Sequence, residues 1–389
     1  MIVNFEFLGV EPIDNVITCM NFKVDKVVFF GYHDLVEEYR DATEEFLKTN
    51  CGVKDVVFQE VARADLPALL KSMRRAIDYE KKNKNQIYFD ITGGESLILV
   101  AFGFLAKEYG ARIHYYDVEN NRLVELESKE KDSISRSVPS QQIKFSVDSY
   151  IKLRGGKVNY NLHKKVKNIE DRDFGNDVAK IWGVSQKYWN YWNPFSMFLQ
   201  QNLEPDEMLS INIKEKDVER MLAASNTKLN RLSKFNEILN ALHSIGAIKK
   251  LERINGNYQF TIKSQQVKDC LWDGGSILEL YTYQKERRTG DDCKVGVHID
   301  WDGVIHGYGE DVLNEVDVLV MRENIPVFMS CKSGKLKAQE SLHALYELET
   351  VTERFGGKYA KKVLVTTRPL GPRYMERAAE MGIEVRQEG

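Results

Sequence analysis

Two neighbouring segments carry the residues best placed to do chemistry. Residues 314–320 and 326–332 both alternate as strands do, and a short turn over residues 322–325 separates them. Alternation sets Glu315, Asp317 and Leu319 on one face of the first segment, and Phe328, Ser330 and Lys332 on one face of the second. With the turn centred between Asn324 and Ile325, antiparallel pairing is expected to bring Asp317 directly opposite Lys332. A carboxylate can hold a divalent cation, and a lysine can position a water or offset the charge of a phosphate. The pair therefore suits metal-assisted phosphodiester hydrolysis. Glu279, on a helix expected to open at Ser276, is a further acid. Ser276 and Glu279 also fit a capping box, in which the glutamate only closes a helix N-terminus.

A second group of residues suits binding. Asp90-Ile91-Thr92-Gly93-Gly94-Glu95-Ser96 follows an apolar strand and opens a helix expected over residues 97–109. Paired glycines let a ligand approach the backbone, and a helix N-terminus offers unpaired N–H groups to an anion. The stretch lacks the spacing of a dinucleotide fingerprint or a P-loop. Residues 8–15, with Gly9, Glu11, Pro12 and Asn15, and residues 31–34, with His33, are also expected to follow strands, at the same edge of the sheet. His33 alone is more simply a surface histidine.

The elements that must position these groups fall into three parts. Residues 1–140 alternate strand (2–8, 26–30, 55–59, 86–91, 111–116) with amphipathic helix (35–48, 66–82), which predicts a mostly parallel sheet covered on both faces. A hairpin turning at Asn120-Asn121 adds an antiparallel edge, and residues 128–140 read as a linker. Residues 141–265 form a connector. Aromatic residues crowd from Trp182 to Trp192, then a helix ends near residues 243–246 and a hairpin turns at Asn255-Gly256, the outline of a winged helix. Residues 266–389 run helix, three strands, helix, strand, helix, with the last helix starting near Pro372. The fold class is α/β.

Bulk properties narrow the classes. Of 389 residues 29% are charged and 43% hydrophobic, an ordinary globular balance, and the net charge of −3 announces no nucleic-acid partner, so any such partner needs a local basic surface. The five cysteines show no C-x-x-C pair, which argues against a zinc site or a disulfide framework and for a reducing cytoplasm. Residues 1–10 lack the basic lead-in of a signal peptide, and no apolar run approaches a membrane span.

Glu279, Asp317 and the Ser330-Cys331-Lys332 segment make residues 266–389 resemble the PD-(D/E)XK nucleases, a restriction-endonuclease-like α/β domain. The resemblance implies that Asp317 and Lys332 are catalytic. It also implies metal binding, of magnesium or manganese, by Asp317, the Cys331 carbonyl, and Glu279 or Glu315. Ser330 stands where the pattern has a second acid, and a serine hydroxyl is a weak, uncharged ligand. At the other end, the stretch from Gly9 to Asn15 and the Thr92-Gly93-Gly94 stretch make residues 1–140 resemble the Rossmann-like CARF sensors of CRISPR systems. Together the two resemblances imply an ancillary nuclease of type III CRISPR antiviral defence, activated by a cyclic oligoadenylate. The activator would be cyclic tetra-adenylate, shared across a homodimer and held by Gly9, Glu11, Pro12, Asn15, Asp90, Thr92, Gly93, Gly94, Glu95 and Ser96. The substrate would be single-stranded DNA, RNA or duplex DNA. The same elements also admit a ligand-gated transcription regulator or a degenerate nuclease that binds without cutting.

Overall fold

A computed structural model describes residues 1–63, 66–118, 120–128, 133–137, 143–160, 172–204, 208–225, 227–300, 302–304 and 313–388. These divide into two units, 1–157 with 302–304, and the described residues from 158 onward.

The first unit opens β1 (Ile2–Phe7), α1 (Ile17–Asn21), β2 (Lys26–Gly31), α2 (His33–Asn50), β3 (Asp55–Glu60), α3 (Leu66–Lys82), β4 (Gln86–Asp90), α4 (Ser96–Tyr109) and β5 (Arg112–Asp117). It continues with β6 (Arg122–Ser128), β7 (Ser133–Ser137) and α5 (Val147–Leu153). Its sheet has the order β3-β2-β1-β4-β5-β6-β7, parallel from β3 to β5 and antiparallel beyond. Phe5, Phe30 and Phe89, from the adjacent strands β1, β2 and β4, stack with centroids 5.9 and 5.7 Å apart and are fully buried. Each such ring contributes roughly 1.5–3 kcal/mol by leaving water. Part of the expected linker is strand: residues 133–137 pair with β6. The remainder of that stretch, 129–132 and 138–140, lies outside the described residues.

The second unit holds β8 (Lys157–Val158), whose second residue opens it, then α6 (Arg172–Lys187), α7 (Trp189–Asn202), β9 (Ser210–Lys214), α8 (Glu215–Ala224), α9 (Leu232–Ser244), β10 (Ile248–Ile254), β11 (Asn257–Ile262) and α10 (Gln265–Trp272). After these come α11 (Ser276–Glu286), β12 (Asp292–Asp300), β13 (Leu313–Arg322), β14 (Ile325–Lys332), α12 (Ala338–Phe355), β15 (Lys361–Thr366), α13 (Pro372–Glu380) and β16 (Ile383–Gln387). Strands β9 to β11 and helices α8 and α9 make the winged-helix outline. The β10–β11 turn has positive φ at Asn255 (52°) and Gly256 (74°), as a two-residue hairpin turn requires. The larger sheet has the order β16-β15-β14-β13-β12-β8, so a closing strand, β16, follows the last expected helix. One continuous core runs from Phe174 in α6 through Phe235 in α9 to Val365 in β15. The helical connector and the C-terminal sheet thus share an interior, whereas the sequence suggested a boundary between 265 and 266. Trp182, Tyr188 and Trp192 of the aromatic cluster lie in that core, and Trp189 stays 37% exposed.

Candidate functional site

The β13–β14 turn departs from expectation. Glu323 (φ 51°) and Asn324 (φ 65°) form its two central residues, and Arg322 pairs with Ile325. The centre lies one residue earlier than the sequence suggested, so the partners shift by two. The ladder runs to Val318 opposite Met329. Continuing the count sets Ser330, not Lys332, opposite Asp317. Contacts agree: Asp317 Oδ2 accepts the Ser330 hydroxyl at 3.3 Å and the Cys331 backbone N–H at 2.5 Å. The Glu323 N–H donates to Asp291 Oδ2 at 2.7 Å, which helps hold a left-handed conformation that a glutamate seldom adopts.

Lys332 still reaches the same place. Asp317, Glu315, Ser330 and Lys332 line one cavity of about 90 Å³, closed on the other side by Glu347, Leu348 and Val351 of α12. Lys332 Nζ lies 3.6 Å from Glu347 Oε2, and His343 Nδ1 lies 3.8 Å from the same carboxylate. Burial holds the Asp317 carboxyl above its usual range; the Cys331 N–H and Lys332 pull it down, while Glu315 and Glu347 push it up. Glu347 was not foreseen. Four glutamates of α12 look alike in sequence, but 347 is the one that flanks the buried stripe of Ala344, Leu348 and Val351.

Glu279 stands apart from this cavity. Its helix starts with Gly275 as N-cap, without a side-chain cap, so the Ser276–Glu279 capping box does not form. Instead Asp273 accepts the Gly275 N–H at 3.1 Å and the Ser276 hydroxyl at 3.3 Å. Burial raises the Cys331 thiol most, and the nearby Asp317 and Glu279 carboxylates add to it. A thiol so held stays neutral, which leaves the carbonyl as the Cys331 atom suited to a hard cation. Glu315 lies 3.7 Å from His298 Nε2.

Among the described residues no three of His, Cys, Asp and Glu converge as a ready-made metal cage. The donors at this cavity are nonetheless all oxygen: Asp317, Glu347 and Glu315 carboxylates and the Ser330 hydroxyl. Such a set fits magnesium or manganese, which accept one or two carboxylates and keep several waters.

The first unit places its expected residues at the ends of β1 and β4. These strands are neighbours whose chain connections leave in opposite directions, so the crevice beyond them is the topological switch point. Asn15 braces one loop: its Oδ1 accepts the Gly9 N–H at 2.9 Å and its Nδ2 donates to the Gly9 carbonyl at 3.1 Å. Glu11 is buried and paired with Arg154 at 2.7 Å, and Pro12 is buried beside it. In the facing loop a side chain on Gly93 would strike Asp14, at 2.6 Å, and Gly94 has φ 122°. Thr92 Oγ1 accepts the Tyr116 N–H at 2.9 Å, and the Thr92 N–H donates to Asp90 Oδ1 at 2.7 Å. Burial pushes Asp90 up to about 6. Glu95 accepts the Tyr32 hydroxyl at 2.9 Å and precedes α4 without capping it, beside exposed Ser96. His33 is a surface residue, 3.2 Å from Glu60.

Residues 268–388 match the family model of the Card1-like endonuclease domain. No curated protein sequence matches the chain. The fold is similar along almost its whole length to protein VC1899 from Vibrio cholerae (16% identity, TM-score 0.74, covering 99% of this chain and 93% of that one). It is similar also to Can2 from Sulfobacillus thermosulfidooxidans, solved in complex with cyclic tetra-adenylate (15%, 0.62, 99% and 95%). A third neighbour is a type III CRISPR defence DNA nuclease activated by cyclic oligoadenylate (14%, 0.51); this chain spans 46% of its length. Among the described residues no helix is long and apolar enough to cross a membrane.

Proposed function

We propose that this chain is a nuclease of type III CRISPR antiviral defence, switched on by a cyclic oligoadenylate and working as a metal-dependent homodimer. The observation that carries the reading is the cavity shared by Asp317, Lys332 and Glu347, within the region that matches an endonuclease domain. Magnesium or manganese, held by Asp317, Glu347 and the Cys331 carbonyl, would activate water and offset charge on the phosphate. Ser330 orients Asp317 through its hydroxyl, and the Cys331 N–H fixes the same carboxylate oxygen. Lys332, beside Glu347, supplies a cation that positions the attacking water or stabilises the charged phosphate. Glu315, in the wall of the same cavity, pushes the Asp317 carboxyl up, while Glu279 stands outside it.

The activator fits the crevice at the ends of β1 and β4. Gly93 and Gly94 let their loop pack against Asp14 and Phe7, and the start of α4 offers N–H groups to the activator's phosphates. Helix α4 also supports the dimer. Leu97, Val100 and Phe104 recur along it at 39, 48 and 55% exposure, an apolar stripe that a second copy would cover. A ring of even size could then sit on the two-fold axis and meet the same loops twice. Binding shifts the protein toward its cutting state only if the ring prefers that state.

Titration calorimetry with cyclic tetra-adenylate tests the sensor half. One ring bound per two chains is expected. A chain that shows no heat at 100-fold excess, or takes one ring per chain, would refute the shared-ring arrangement.

A further inference from the structure

Beyond Lys332 the chain continues through Ser333, Gly334 and Lys335, and these residues line a second cavity, of about 330 Å³. Trp182, Trp189, Trp192 and Lys228 contribute to the rest of its wall. Trp189, still 37% exposed, carries the Arg368 guanidinium 3.8 Å from its ring centroid and the Lys228 ammonium at 5.5 Å. Hydrogen bonding around α7 is incomplete. Trp192 is 3% exposed and its indole N–H meets no acceptor among the described residues; the Ser196 hydroxyl, one turn on, also lacks a partner. Pro194 cannot return an N–H to the Asn190 carbonyl, and both residues line the cavity. Buried donors without partners are costs that a folded chain seldom keeps without a reason.

An exposed indole flanked by two cations, in a cavity whose wall also holds Lys335 and the unused Trp192 N–H, matches the face of a base and the charge of its backbone. We propose that this cavity is a nucleobase subsite, which holds one base of a single-stranded substrate beside the phosphate that is cut. The inference rests on the nuclease reading, and it gives a use to Trp189, which the core leaves partly exposed.

The test uses the full chain and fluorescein-labelled 12-nucleotide oligo-dT and oligo-U. Anisotropy is followed in EDTA, so that nothing is cut, with and without cyclic tetra-adenylate. Trp189→Ala is expected to weaken binding about 5- to 150-fold, the effect of losing one base–aromatic stack, while Trp189→Phe stays near wild type. Lys228→Glu is a second variant, expected to weaken binding and flatten its salt dependence. Strands with one abasic nucleotide at successive positions complete the test. At one position, wild type should lose what Trp189→Ala loses, and the variant should lose nothing more. A folded Trp189→Ala that binds within twofold of wild type, or a deficit that no abasic position reproduces, would overturn the subsite. If wild type also cuts these strands in manganese, only the subsite fails. A wild type that neither binds nor cuts any strand sinks the nuclease reading and the subsite together.

Discussion

Lys332 Nζ lies 3.6 Å from Glu347 Oε2, so strand β14 and helix α12 meet across the cavity that also holds Asp317. This contact brings a carboxylate to a site whose strand carries Ser330 in place of an acid. If Glu347 stands in for that acid, its removal should be repairable from the strand. Glu347→Ala is expected to lower cleavage about 10- to 100-fold. Adding Ser330→Glu to that variant should restore most of the loss. Single-turnover rates across a manganese titration, for wild type, both single variants and the double variant, check this. A Glu347→Ala enzyme as fast as wild type would remove Glu347 from the site.

The α4 stripe makes an assembly prediction. Val100→Glu puts a charge into the centre of the apolar surface formed with Leu97 and Phe104. Its residue is 48% exposed, so the fold should survive, with stability changed by less than about 0.5 kcal/mol. Mass by light scattering should fall from two chains to one, and activation by the ring should go with it. A variant that stays dimeric would move the interface elsewhere.

Asp90 makes a pH prediction. Burial raises its carboxyl from 3.8 to about 6. A carboxyl raised in the folded state binds its proton more tightly there than when unfolded. Its ionisation therefore costs stability, increasingly as pH rises from about 4 to 6 and fully above 6. Asp90→Asn keeps an oxygen for the Thr92 N–H and removes that cost. The stability of Asp90→Asn relative to wild type should grow by about 2–3 kcal/mol between pH 4 and pH 7.5, measured by urea unfolding. A difference that does not change with pH would show that Asp90 titrates normally.

The parts of the fold legible from sequence are those whose elements carry their own period. Helix α3 was expected over 66–82 and forms Leu66–Lys82; β1 to β5 and α4 agree to within about a residue. Features set by packing were not legible. The β13–β14 register depends on Glu323 taking positive φ, which nothing in a glutamate's chemistry suggests, and one residue of error there moved the partner of Asp317 by two. The edge strands β9 and β16 are five residues each and gain their identity from neighbours. Glu347 joins the site only because α12 docks with the stripe of Ala344, Leu348 and Val351 inward. Asp317, Ser330 and Lys332 could be singled out early because strand alternation already placed each on the correct face.

The most direct test of the account is cleavage of labelled single-stranded DNA, plasmid and RNA in manganese, with and without cyclic tetra-adenylate, by wild type and Asp317→Ala. The account predicts cutting of at least one substrate by wild type only when the ring is present, and none by Asp317→Ala, which should still bind the ring. Cutting that ignores the ring or survives Asp317→Ala, or no cutting by a wild type that binds the ring, would contradict it.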